Sequence, residues 1–185
     1  MNKTVLLALA AAAPLAAHAA DFNAVQPDKS ALSFVYKQMG VPVDGRFKRF
    51  AARIDFDPAR PAAAKAAIDV DLASVDTGMA EADEEVTGKN WFDVKKYPQA
   101  KFVSTAVKPL GGNRFEASGK MTIRGQTRDV TAPFTFAAQG NAGTFEGSFT
   151  LKRADYGIGQ GEWADFGTVA NEIQIKFRIL ATAGK

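Results

Sequence analysis

From Leu32 onward the chain alternates apolar and polar residues with a period of two, which puts one set of side chains on one face of a strand. Leu32, Phe34 and Tyr36 alternate with Ser33, Val35 and Lys37, and Phe50, Ala52, Ile54 and Phe56 alternate with Ala51, Arg53, Asp55 and Asp57. Ile68, Val70 and Leu72 form the next stripe, opposite Asp69, Asp71 and Ala73. Phe115, Ala117, Gly119, Met121 and Ile123 form a longer one, followed by Val130, Ala132, Phe134 and Phe136. Phe145, Gly147, Phe149 and Leu151, then Ile173, Ile175, Phe177 and Ile179, complete the series. Phe102 to Val107 has strand composition but no single parity.

Turn-forming residues separate these runs: Asp57 to Pro61, Gly111-Gly112-Asn113, Arg124-Gly125-Gln126-Thr127 and Gln139 to Gly143. Short strands at such spacing predict an all-β antiparallel sandwich or barrel. One helix is expected over Ala80 to Lys89, with Thr77 or Gly78 as its cap and Glu81, Asp83, Glu84 and Glu85 at its start. Pro61 to Lys65 suggests one further helical turn.

Composition removes most chemistry from this scaffold. The chain has no Cys and one His, His18, which lies in a segment resembling a secretory signal: Lys3, an apolar run from Val5 to Leu15, and the small-x-small site Ala17-His18-Ala19. Cleavage after Ala19 would remove 19 of 185 residues and leave 166, one domain over residues 20–185, exported to the periplasm. That domain would carry 22 basic and 20 acidic residues, a balance of about +2 with no basic block, so no nucleic-acid footprint is expected. Without His or Cys it has no imidazole base, thiolate nucleophile or zinc-type site, and neither a catalytic residue, a metal ligand nor a cofactor is expected.

The remaining polar groups have ordinary explanations. Asp55 with Asp57, and Asp69 with Asp71, share strand faces opposite the apolar stripes and are expected to face solvent rather than form a hydrolytic carboxylate pair. Arg46, Lys48, Arg49 and Arg53 read either as solvated edge charges or as an attraction for an anionic lipid surface in transient contact. Trp91-Phe92 with Tyr97, and the Gly-rich aromatic stretch from Tyr156 to Gly167, read as packing or as gates over a barrel end.

The small residues beside Phe in the apolar stripes leave two readings open. Either they open a dry space for an apolar guest, or they face large residues in a filled core. Ile123-Arg124-Gly125-Gln126-Thr127-Arg128 resembles the YceI family of exported polyisoprenoid-binding proteins. Val75-Asp76-Thr77-Gly78, Trp91 to Pro98 followed by Phe102, and Arg153-Ala154-Asp155-Tyr156-Gly157-Ile158 match the family in order. The resemblance implies an eight-stranded, lipocalin-like antiparallel barrel with a short flanking helix. It also implies a non-catalytic carrier whose apolar cavity holds a long isoprenoid lipid of prenyl quinone or polyprenyl phosphate type. The stripes then nominate Phe34, Tyr36, Phe56, Ile68, Phe102, Met121, Phe134, Phe149 and Phe177 as ligand-binding residues. The alternative is a periplasmic interaction module with a filled core, acting through its surface. One departure stands out: where many relatives carry Arg-Asp-x-His-Leu, this chain has Ala82-Asp83-Glu84-Glu85-Val86, an acidic change that would repel a phosphate.

Overall fold

The alternating stripes become an antiparallel sheet of eleven strands in a computed structural model, which describes residues 21–184. The expected signal segment, residues 1–19, lies outside the described residues. The strands are β1 (Phe22–Val25), β2 (Ala31–Gln38), β3 (Val41–Phe47), β4 (Phe50–Asp55), β5 (Lys65–Asp71) and β6 (Val75–Asp76). After helix α1 (Ala80–Thr87) come β7 (Gln99–Gly111), β8 (Arg114–Ile123), β9 (Gln126–Gln139), β10 (Ala142–Lys152) and β11 (Glu172–Ala183).

The sheet order is β4-β5-β7-β8-β9-β10-β11-β2-β3-β6, with β1 on β11. The expected closed barrel of eight strands is therefore corrected to a strongly curled half-barrel. Eight of its strands are the eight apolar runs of the sequence. The three others escaped detection for a reason visible in their residues. β1 and β6 span four and two residues, and β3 (Val-Pro-Val-Asp-Gly-Arg-Phe) has no continuous apolar stripe.

Short contacts draw the two sheet ends together in place of a ladder. The Phe22 N–H donates to the Phe56 carbonyl at 2.9 Å, bringing β1 against the end of β4. Past the other end of β4, Lys48 N–H donates to Ser74 O at 3.0 Å, next to β6, while the Asp71 N–H to Arg49 O bond at 3.1 Å extends the β4–β5 pairing. The ambiguous parity of β7 resolves into a bulge: its register against β8 shifts between Ser104 and Ala106. Phe102 and Val107, an odd number of residues apart, are consequently both buried.

Two hydrophobic clusters occupy the interior. The first is aromatic: Phe56 packs on Phe115, Phe134, Phe136 and Phe145 with ring centroids 4.9–6.2 Å apart, and Phe22 closes on Phe136 at 4.9 Å. The second joins Leu72, Val70, Ile123 and Leu151 with Trp91, Tyr156, Ile158 and Val169 at the end where α1 and the β10–β11 connection lie. Inward glycines are seats for rings and not open space. Gly45 lies opposite Phe34, and Gly147 opposite both Phe134 and Phe177. A Cβ at Gly147 would stand 2.6 Å from the Phe177 ring.

Outside the curl, the basic residues of β3, β4 and the turn between them are paired. Arg46 and Lys48 reach Asp76 at 2.9 and 3.3 Å, Arg49 reaches Asp71 at 2.8 Å, and Arg53 shares Asp69 with Lys101 at 2.9 Å each. The four basic residues thus face carboxylates along a seam and do not form an unopposed cationic patch. Asp57 corrects the solvent-facing expectation: it is 5% exposed. Its carboxylate accepts from Arg60 Nε at 2.6 Å and Ala59 N–H at 2.8 Å. These bonds hold Asp57 below the usual carboxylate range, Arg60 contributing most.

Candidate functional site: an apolar cavity with a polar end

A cavity of about 500 Å³ runs through the interior, from the second cluster toward the aromatic one. A filled core, the basis of the interaction-module alternative, is therefore not what the described residues form. All nine residues nominated from the stripes lie on its wall: Phe34, Tyr36, Phe56, Ile68, Phe102, Met121, Phe134, Phe149 and Phe177. Seven of them meet because each occupies the inward parity of its strand; Phe102 does so in a strand whose parity a bulge reverses, and Phe56 continues the alternation of β4 one residue past its end. Phe56 and Phe134 are buried at the aromatic end, whereas Tyr36, Ile68, Met121, Phe149 and Phe177 keep partial exposure.

Helix α1 presents Glu81, Ala82, Glu85 and Val86 to this cavity, a helix face at spacings of one and four residues. The helix begins after Met79, whose side chain makes no cap bond, in place of the expected Thr77 or Gly78. Asp83 performs the anchoring instead. Its Oδ1 accepts from Thr77 N–H and Thr77 Oγ1, both at 2.7 Å, tying the first turn to the preceding strand. Asp83, shared with the family pattern, is thus engaged by the backbone, while the departing residues Ala82 and Glu85 border the cavity. Burial raises the Tyr36 phenol above its ordinary range, and the Asp83 charge adds to the rise.

The polar end depends on a residue that alternation does not single out. Arg153 is 1% exposed. Its guanidinium donates to the carbonyls of Ile158 (2.9 Å), Gly159 (3.1 Å), Trp163 (2.7 Å), Asp165 (3.4 Å), Val169 (2.8 Å) and Ala170 (3.2 Å). It also stands 5.4 Å from the Trp91 ring and 5.1 Å from that of Phe166. Burial lowers its pKa from the ordinary arginine value, yet arginine stays protonated throughout the physiological range. The carbonyls fold the Gly-rich aromatic stretch around one cation. Gly159, at φ +77, lets the backbone pass against the guanidinium, where any side chain would collide with it. Trp91 and Trp163, with ring centroids 5.6 Å apart, complete this end of the cavity.

The sequence landmarks converge here. Arg124 and Gly125 form the β8–β9 hairpin turn, both with positive φ, as tight two-residue hairpins favour. Arg124 Nη1 donates to Gly157 O, and Nη2 to Lys89 O (2.8 Å) and Gln160 Oε1 (3.2 Å). The N–H groups of Gly159 and Gln160 donate to Asn90 O at 2.9 and 2.8 Å. Tyr97 packs against Gly125 outside the cavity, whereas Trp91 and Phe92 line it. Sequence reasoning flagged these segments separately; their assembly around a buried arginine required the fold. An arginine opening a Gly-rich aromatic stretch was the available signal.

Comparison with known proteins agrees with this geometry. A family model described as a YceI-like domain matches residues 24–181. A UPF0312 protein of Pseudomonas putida strain W619 is 39% identical over 123 residues, 63% of this chain and 64% of that relative, so the match spans less than two thirds of its length. The crystal structure of BcnA from Burkholderia cenocepacia superimposes with a TM-score of 0.84 at 47% identity, covering 85% of this chain and 99% of the other. A domain from Saccharophagus degradans, described as polyisoprenoid-binding and implicated in plant cell wall breakdown, shares the fold with a TM-score of 0.67 at 15% identity, over 89% and 99% of the two chains.

Proposed function

Because the chain belongs to the YceI-like domain family, we propose that it is a non-catalytic carrier that encloses a long-chain isoprenoid lipid in its half-barrel and works in the periplasm. The observation that carries this reading is the 500 Å³ interior cavity, walled by Phe, Ile, Leu, Val and Met. Its size falls within the common range of small-molecule pockets, and burial of apolar surface at about 25 cal/mol per Å² supplies the attraction without an ion or cofactor.

The tail of the guest lies among Phe34, Phe56, Ile68, Phe102, Phe134, Phe149 and Phe177, its far end against the aromatic cluster. Glu81 and Glu85 on the α1 face favour a neutral head group of the prenyl quinone type over a phosphate. Loading requires brief contact with a membrane. The β2–β3 hairpin offers exposed Met39 and Val41 for this, beside the cavity-lining Gln38. Organic extraction of protein purified from its native host, followed by mass spectrometry, should release an isoprenoid lipid, and the stripped protein should bind an added prenyl quinone. Finding no lipid and no quinone binding would overturn the carrier reading.

A further inference from the structure

We infer that Trp91 and Trp163 form the head-group subsite of the cavity and that the group they take is a neutral carbonyl oxygen, such as that of a quinone. The inference rests on the carrier reading and specifies its polar end.

Both indoles line the cavity, yet the Nε1 of each is buried with no hydrogen-bond partner in the protein. Trp91 as a whole is 7% exposed. An indole nitrogen is a donor only, and leaving such a donor dry and unpaired opposes folding. Two of them on one cavity wall, on rings 5.6 Å apart, describe a place waiting for acceptors.

Arg153 sets the sign of the preferred guest. It lines the same cavity, its guanidinium faces the Trp91 ring, and its hydrogen-bond partners are backbone carbonyls, none of them a carboxylate. A cation whose direct partners are only dipoles leaves a locally positive potential beside the Trp91 ring, which favours an electron-rich oxygen there and disfavours a cationic head group. Yet its five N–H groups are engaged by those carbonyls, so it offers no fork to a phosphate. Beside that guanidinium, the buried donors left unpaired are one N–H on each indole. That supply suits the one or two lone-pair directions of a carbonyl and falls short of the several oxygens of a phosphate or pyrophosphate.

The chain contains two Trp residues, so a ¹H–¹⁵N spectrum shows two indole signals and both report on this site. The full-length protein would be titrated in parallel with a long-chain prenyl benzoquinone and with squalene, a polyisoprene hydrocarbon without oxygen. The quinone should move both indole protons downfield, and squalene should leave them nearly in place. The ratio of quinone to squalene affinity should fall roughly tenfold in the Trp91→Phe/Trp163→Phe double variant, the loss of two ordinary hydrogen bonds. Trp163→Phe alone, at the less buried ring, should give a few-fold fall. If the quinone binds with both indole signals unmoved, or the ratio survives the substitutions, the head-group assignment is wrong while the carrier reading stands. If the unmodified protein binds neither probe, the carrier reading fails and this inference goes with it.

Discussion

The two ends of the cavity are stabilised by opposite means. At one end, Phe22, Phe56, Phe115, Phe134, Phe136 and Phe145 come from β1, the residue after β4, and strands β8, β9 and β10, and interlock as rings. No polar side chain is needed there, because strand pairing satisfies the backbone and burial does the rest. At the other end the chain is irregular, and the carbonyls freed by leaving the sheet are gathered by Arg153. The difference teaches that one cavity can be closed by shape alone at one end and by a polar scaffold at the other, where the chain leaves the sheet.

The sharpest way to break the comparison is to truncate one ring at each end. Phe56→Ala removes the centre of the closed end, where the surrounding rings cannot collapse, and should lower stability by about 3–5 kcal/mol in urea unfolding. Phe149→Ala acts on a ring that already borders empty space. It should lower stability by only about 1–2 kcal/mol while weakening prenyl quinone binding. Equal losses at the two positions would mean that the ends are not mechanically distinct.

Arg153→Lys tests the polar end with less force. Lysine keeps the charge but has three donors on one nitrogen in place of a planar fork, leaving several carbonyls unserved, and should lower stability by about 2 kcal/mol. Hydrogen exchange should accelerate within residues 153–170 and stay slow in β9 and β10. Uniform acceleration would show that Arg153 supports the whole sheet and not its own end.

The smallest effect belongs to the outer seam. Asp57 is held below the usual carboxylate range mainly by Arg60, Asp69 mainly by the hydrogen bond from Lys101, and Asp76 mainly by that from Arg46. A carboxylate with a lowered folded pKa stabilises the fold above its unfolded pKa and loses that contribution as pH falls through the folded value. Thermal stability should therefore be flat near neutrality and decline below about pH 4, with a shallower decline at high salt for the exposed pairs. A decline beginning near pH 6 would implicate groups other than these three.

Much of the architecture was legible because alternation is a local signal. Ile173, Ile175, Phe177 and Ile179 state their own inward face, and seven of the nine proposed contact residues meet on one wall for that reason. The illegible parts depend on residues distant in sequence. The bulge at Ser104–Ala106 flips the parity of β7 with no glycine or proline to announce it. Gly147 could be read in sequence either as free volume or as a seat for a large residue, and only the fold puts two Phe residues across from it. Asp57 followed the strand alternation in sequence but lies beyond the end of β4, where Arg60 and the Ala59 N–H engage its carboxylate. Arg153 could be recognised as buried only once six carbonyls, from residues 158 to 170, had a shape to surround it.

The pairing of β11 also has a consequence for time. This strand, residues 172–183, is the shared neighbour of β1, β2 and β10. β1 and β2 therefore have no partner on that side until β11 has been made. Such distant pairings slow the search for the native arrangement, because a long loop must close before any contact rewards it. Sealing of the cavity is thereby deferred until β11 has been made, and β11 acts as a clasp: the vessel cannot shut on that side before this strand arrives.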